Sequence, residues 1–296
     1  MDRFAGMRAF TRVVEKLGFA AAARDMGLSR SAVNKAVIAL ENELGVQLLQ
    51  RSTRKVTPTD TGLAFYDRAR GLLADYDDAV AAVRDSRETP SGTLRVNAPM
   101  SFGMTYLRHA VADFLREYPR LRIELLLNDR PVDTIEEGFD VTLRIASPSY
   151  LTSVIRRDIA PVRRVLCASP EYLAAAPPLS KPEDLREHRC LQYGYSGVAS
   201  QWRLAGEGGE RAYPIHCVMW SNNGEVLAAA AMADQGIALL PEFIVAPELA
   251  DGALVVVLPE QAPGELTLSA VYPRHRHLSS KVTVFVDALV ARFASL

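Results

Sequence analysis

The chain has 296 residues, 49% of them hydrophobic and 23% charged, with a net charge of −1. This length suggests about two domains, and the composition excludes extensive disorder. A near-neutral chain is not a polycation, so any nucleic-acid binding must rest on a local patch.

The first 62 residues hold ten basic and six acidic side chains, so a basic head precedes an acidic remainder. Within it, "MRAFTRVVEKLGF" places Met7, Phe10, Val13, Val14 and Leu17 at helical spacing, with Gly18 as the stop. "AAAARDM" reads as a second, short helix, and Gly27-Leu28-Ser29 as a tight turn in which Ser29 caps a third helix. In that third helix Val33, Ala36, Val37, Leu40 and Leu44 form the buried stripe, while Ser31, Asn34, Lys35, Ile38 and Asn42 face outward and Gly45 ends it. Two helices around a tight turn make a helix-turn-helix, whose second helix enters the DNA major groove N-terminal end first.

The charges of this helix run against its dipole, with Arg30 and Lys35 at the start and Glu41 and Glu43 near the end. A polyanion at the N-terminal end accounts for that order; the alternative is a solvated face with incidental charges. On the DNA reading, Arg30, Ser31 and Lys35 meet phosphates or base edges, Asn34 reads adenine and Ile38 touches a thymine methyl. In "VQLLQRSTRKVTPTDTG", Arg51, Arg54, Lys55 and Thr57 suit the phosphate contacts of a β-hairpin wing. Arg51 has a second reading as an ion-pair partner of Glu41 or Glu43.

The run "FTRVVEKLGFAAAARDMGLSRSAVNKAVIALENELGVQLLQRSTRKVTPTDTG" resembles the head of a LysR-type transcriptional regulator. The matching features are Ala22-Ala23, Ser29, Leu40-Glu41, Glu43-Leu44-Gly45, Leu48-Leu49-Gln50-Arg51 and Thr59 to Gly62. Asn34 stands where the family has serine, and Leu49 where it has phenylalanine; the first bears on base preference, the second on wing packing.

After the head, Tyr66, Ala69, Leu73, Tyr76, Val80 and Val83 follow 3–4 spacing to the break at Pro90-Ser91-Gly92. The seam reads as a dimerising linker helix, as the resemblance implies, or as a helix packed on its own domain. From there strand and helix signals alternate: "TLRVNAP", "GMTYLRHAVADFLREYP", "RIELLLN", a short helix "VDTIEEG", "DVTLRIA", "RRVLCAS", "EYLAAA", "PIHCVMW", "NGEVLAAAAMAD", "GIALLP", "GALVVVL", "LTLSAVYP" and "SSKVTVFVDALVARFAS". This is an α/β pattern, with ligands expected at strand C-termini and helix N-termini. "EGFDVTLRI", "CASPEYL", "GIALLP" and "GALVVVLP" resemble the effector-binding domain of the same family. The resemblance implies a two-lobed, periplasmic-binding-protein-like fold joined by crossover strands.

The expected organisation is thus a winged helix-turn-helix at 1–60, a linker helix at 61–89 and an effector domain at 90–296. Lobe I spans 91–163 and 267–296, and lobe II 164–266. The cleft is expected to hold a small organic acid. Its candidate contacts are Met100, Ser101 and Phe102 at a helix start, Arg144 after a strand, Tyr195, Ser196 and Trp202 in lobe II, and Asn223 with Asn222 before a helix. Several have a structural alternative: Ser101 and the asparagines as caps, Arg144 as an inter-lobe ion pair, Trp202 as core.

Other functions find less support. No G-x-S-x-G, P-loop or dinucleotide fingerprint is present. His216-Cys217 on a strand points to opposite faces, and His275 and His277 in "RHRH" read as an exposed basic turn. No metal, cofactor or catalytic residue is expected. Cys167, Cys190 and Cys217 are odd in number and widely spaced, which fits a reducing cytoplasm. The N-terminus lacks the apolar run of a signal peptide, and "VLAAAAMADQGIALLPEFIVA" is broken by Asp234, Gly236, Pro241 and Glu242, so no membrane span is expected. A stand-alone solute-binding protein is the main rival, and the DNA-binding head argues against it. The partners expected are double-stranded DNA, a small effector, further copies of the chain as homodimer or homotetramer, and RNA polymerase for an activator.

Overall fold

The computed structural model describes residues 3–51, 56–84, 90–130, 132–135, 137–147, 154–194, 200–206, 208–274 and 279–294. They fall into two compact units, the first built mainly on Met1–Thr89, the second on Pro90–Val132, Val141–Arg274 and Lys281–Leu296.

In the first unit, helices α1 (Arg3–Glu15), α2 (Phe19–Met26) and α3 (Arg30–Leu44) enclose a core of Phe10, Val13, Phe19, Ala22, Val33, Val37 and Leu40. Gly27 turns the chain between α2 and α3 at φ 65°, a conformation that glycine adopts without a steric penalty. Leu17, assigned by spacing to the buried face of the first helix, is a correction. The helix ends at Glu15, and Leu17 takes a left-handed φ of 54° that turns its side chain into solvent, 74% exposed. Strands β1 (Leu49–Arg51) and β2 (Val56–Pro58) pair antiparallel as the wing, with Gln50 opposite Thr57. Leu48 and Leu49 are buried in the head core, so leucine in place of phenylalanine keeps the wing anchored.

Helix α4 (Asp60–Arg84) packs along α1. Ala69 and Leu73 are already buried in the single chain. Tyr66 donates to Glu15 of α1 at 3.4 Å, and the Tyr76 ring lies 4.4 Å from that of Phe4. Ala69 and Leu73 of the 3–4 stripe face the head, whereas Tyr76 stays exposed, as do Leu63 and Leu72 outside the stripe. The side chain of Val83 lies outside the described residues.

The second unit carries two five-stranded sheets. One has the order β4-β3-β5-β14-β6 and the other β11-β8-β12-β7-β13. The first comprises β3 (Gly92–Ala98), β4 (Leu121–Leu127), β5 (Val141–Ala146), β6 (Val154–Val162) and β14 (Leu266–Pro273). The second comprises β7 (Arg164–Ala168), β8 (Arg189–Tyr193), β11 (His216–Ser221), β12 (Ile237–Pro241) and β13 (Val255–Val257). In each, four strands run one way and one, β14 or β7, runs antiparallel to both of its neighbours. The chain crosses between the sheets at β6 to β7 and returns from β13 to β14, which makes two lobes joined by two crossovers. A hairpin of β9 (Gln201–Gly206) and β10 (Gly209–Pro214) flanks the second lobe.

In lobe I, α5 (Met100–Phe102), a π-helical turn (Gly103–Leu107) and α6 (Arg108–Glu117) run on as one helix, which packs with α10 (Ser280–Phe293) on a core including Leu94, Val96, Phe114, Phe285 and Leu289. Helices α7 (Pro170–Ala175), α8 (Gly224–Met232) and α9 (Glu242–Asp251) belong to lobe II. The short helix expected at "VDTIEEG" is instead a run of turns among the described residues, opened by the Asp133 carboxylate accepting from the Ile135 N–H at 2.9 Å.

Candidate DNA interface and effector cleft

Helix α3 begins where its sequence says it should. Ser29 caps it, its Oγ accepting from the Ala32 N–H at 3.1 Å. Arg30, Ser31, Lys35 and Ile38 are exposed on its outer face, with Asn34 half-buried beside them. Among the described residues no carboxylate pairs with Arg30 or Lys35, so the positive N-terminal end of the helix carries two uncompensated cations.

The glutamates at the other end are structural, which the sequence did not reveal. Glu41 Oε1 accepts from the backbone N–H groups of Leu48 and Leu49 at 2.9 and 3.0 Å, so it fixes the start of the wing. Glu43 pairs with Arg3. The side chains of Arg51, Arg54 and Lys55 lie outside the described residues. Thr57 sits half-buried on β2. Thr59 Oγ1 donates to the Gln47 carbonyl at 2.9 Å and accepts from the Gly62 N–H at 2.9 Å, locking the wing to α4.

In the second unit a cavity of about 630 Å³ opens between the lobes. Lobe I supplies Asn97, Ser101, Asn128, Asp129, Thr142 and Arg144; lobe II supplies Gln192, Tyr193, Trp202, Arg203 and Phe243. Ser101, Arg144 and Trp202 are the sequence candidates that line it. Ser101 is buried, but its hydroxyl is already engaged: it donates across the cleft to Glu225 Oε2 at 2.7 Å. Arg144 donates through Nη2 to the Val132 carbonyl. Trp202 is both wall and core, 3% exposed, with its indole N–H donating to Gln192 Oε1 at 2.7 Å.

Three candidates are used elsewhere. Phe102 is fully buried in the lobe I core against Tyr106, Phe243 and Phe293. Asn223 caps α8, its Oδ1 accepting from the Val226 N–H at 3.0 Å. Met100 does not line the cavity; its N–H donates to Asp129 Oδ1 at 3.0 Å. Tyr195 and Ser196 lie outside the described residues.

Asp129, Glu225, Asn97 and Asn128 are contributions the sequence reading missed. Asn128 donates through Nδ2 to Asn97 Oδ1 at 2.8 Å, tying the ends of β4 and β3. Burial raises the Asp129 carboxyl above the usual carboxylate range, and the charge of Glu225 pushes the same way against the Met100 N–H. On the far side, Glu210 is held below its usual range by the Gly264 N–H, 2.9 Å away, and by Arg203 at 3.4 Å. Arg164 shares this cluster and donates to the Gly264 carbonyl at 2.9 Å.

Among the described residues no group of three or more His, Cys, Asp or Glu could hold a metal ion, and no helix is long and apolar enough to cross a membrane.

Family comparisons agree with this arrangement over nearly the whole chain. Residues 4–63 match the bacterial regulatory helix-turn-helix protein, lysR family, and residues 87–294 match the LysR substrate binding domain. The chain belongs to the LysR family of transcriptional regulators.

This LysR-type regulator is 33% identical over 298 residues to an HTH-type transcriptional repressor of Pseudomonas aeruginosa strain UCBPP-PA14, covering 99% of this chain and 93% of that one. It is 31% identical over 288 residues to the HTH-type transcriptional activator TtdR of Escherichia coli strain UTI89, covering 96% and 92%. The solved structure of CrgA, a LysR-type regulator from Neisseria meningitidis, superposes with a TM-score of 0.62 at 30% identity, covering 98% of both chains. With a repressor and an activator at similar distance, family membership alone does not set the sign of regulation. It does establish a DNA-binding regulator with an effector-binding domain.

Proposed function

We propose that this regulator reads a specific, roughly two-fold DNA site and that a small organic carboxylate in the inter-lobe cleft modulates the binding. Arg30, Ser31, Asn34 and Lys35 on α3 would reach base edges and adjacent phosphates, and Arg51, Arg54, Lys55 and Thr57 of the wing would grip the backbone. The observation that carries the effector half is Arg144: a half-buried guanidinium lining the inter-lobe cavity, with only a neutral carbonyl as its hydrogen-bond partner among the described residues. A carboxylate is the ligand group that matches a guanidinium fork.

The coupling is linkage: effector shifts DNA affinity by as much as its affinity differs between the two lobe arrangements. Two copies are needed for a two-fold site. The exposed Leu63 and Leu72 of α4 support a homodimer through the side of that helix facing away from α1, and pairs of dimers would give a tetramer. If the regulator activates, RNA polymerase is the further partner.

The test is fluorescence anisotropy on the selected DNA site across a panel of small carboxylates, with wild type and Arg144→Gln. One or more carboxylates should change the DNA affinity of wild type by about 5–150-fold, and Arg144→Gln should abolish the response while binding DNA normally. A response that survives in Arg144→Gln removes that residue from the site.

A further inference from the structure

We propose that the effector is bipolar: its carboxylate pairs with Arg144 and an ammonium group of the same molecule pairs with Asp129. This rests on the cleft being the effector site, and it narrows the ligand from organic acids in general to amino-acid-like molecules.

Two opposite charges line this cavity without an ion-pair partner among the described residues. Arg144 has the Val132 carbonyl and no carboxylate within ion-pair distance among the described residues. Asp129 has the Met100 N–H and no cation within ion-pair distance among the described residues. The two do not pair with each other. Of the remaining cavity charges, Arg203 pairs with Glu210, Arg164 donates to the Gly264 carbonyl within the electrostatic reach of Glu210, and Arg130 has a partner of its own. An unpaired charge withdrawn from water is costly, so a site that keeps one of each sign is complementary to a molecule that supplies both.

The end of the cleft at Ser101 sets the orientation. A helix start with a serine hydroxyl and free N–H groups ordinarily suits an anion. Here both donors are spent on the protein's own carboxylates, the Ser101 hydroxyl on Glu225 and the Met100 N–H on Asp129. Two carboxylates at that end repel an incoming anion and attract a cation. The ammonium therefore goes to Asp129 and the carboxylate to Arg144, while Gln192, Tyr193 and Trp202 from lobe II offer neutral walls to the rest of the molecule.

The experiment is calorimetric titration of the full chain with the proteinogenic L-amino acids and ω-amino acids of graded length, each beside its deaminated acid. Wild type, Asp129→Asn and Arg144→Gln are compared. Asp129→Asn keeps an acceptor for the Met100 N–H, and its fold is checked by circular dichroism. At least one amino acid should bind wild type about tenfold or more tightly than its deaminated counterpart. Asp129→Asn should erase that preference without weakening the deaminated acid, and Arg144→Gln should weaken both. Deaminated acids that bind as well as their amino counterparts would overturn the bipolar ligand and leave the carboxylate effector standing. Binding by neither series would overturn both. A double-mutant cycle on thermal stability guards against a hidden Arg144–Asp129 pair: a coupling outside error would also overturn the proposal.

Discussion

Glu41 is the residue by which recognition helix and wing act as one body, so its removal has a calculable effect. Its Oε1 accepts two backbone N–H groups, those of Leu48 at 2.9 Å and Leu49 at 3.0 Å, where the chain turns from α3 into β1. Hydrogen bonds to a charged group contribute about 1.5–3 kcal/mol each, and the donors here are part-buried, which permits some recovery through water. Alanine regains a few tenths of a kcal/mol in helix propensity. The net cost of Glu41→Ala is about 2–4 kcal/mol to the head. Glu41→Gln retains an acceptor oxygen and loses only the charge, so its cost is about half that or less. The two tryptophans, Trp202 and Trp220, both lie in lobe II, so their fluorescence reports that lobe while far-UV circular dichroism also reports the helical head. In urea, Glu41→Ala should advance the circular-dichroism transition and leave the fluorescence transition in place. DNA affinity should fall across all sequences, because the wing positions without reading. A shift below about 0.5 kcal/mol, the scale of an ordinary surface substitution, would refute the role given to Glu41.

Gly62 has no room for a side chain: a Cβ there would lie 2.0 Å from the Leu48 carbonyl oxygen, so Gly62→Ala must displace backbone. It should cost about 3 kcal/mol or more and abolish DNA binding, read by anisotropy and circular dichroism. Asp129 has its carboxyl raised by burial and then by Glu225, so its charged form is disfavoured in the folded state. The sign follows directly. Above the raised value the group costs stability, and that cost is removed as pH falls toward about 4, the unfolded value. Asp129→Asn should therefore raise Tm at neutral pH, and the gain should shrink on acidification; a lower Tm at neutral pH contradicts this. Burial pushes the Cys167 and Cys190 thiols up to about 12. Native protein should therefore leave both unmodified by a thiol reagent at neutral pH, with the half-buried Cys217 reacting first and slowly and all three reacting on unfolding. Rapid native modification of Cys167 or Cys190 would count against the burial assigned to them.

The head was largely legible because its information is local. Helix period, the Ser29 cap and the Gly27 and Gly45 stops lie within a few residues of what they determine. The linker is legible only as a helix: a 3–4 stripe specifies an apolar face but not whose surface covers it, and α1 of the same chain covers Ala69 and Leu73 of it while Tyr76 stays exposed. In the lobes, most strands announced themselves as apolar runs. β6 did not, because "VIRRDIAPV" mixes Arg156, Arg157, Asp158 and Pro161 into its sequence. It lies at the edge of its sheet, where charges and proline are tolerated. The cleft was half legible. Ser101 sits at a helix start, where α/β folds bind ligands; Arg144, expected after a strand, lies within β5, and Trp202 lies within β9, yet both line the cavity. Glu225 was not legible, since it meets Ser101 from 124 residues away and only through the closing of two lobes. Asp129 and the Asn97–Asn128 pair likewise acquire meaning only when β3 and β4 lie side by side.

The central claim is that α3 reads sequence and that its N-terminal cations and Asn34 do the reading. Its most direct test is selection of genomic fragments by the purified chain at low and at higher salt, read by sequencing, for wild type and for Arg30→Ala and Asn34→Ala. The account predicts one short, roughly two-fold motif that survives the higher salt with wild type, and a loss of preference at defined positions with each variant. Random fragments that vanish as salt rises, or variants that recover the wild-type motif unchanged, would contradict it.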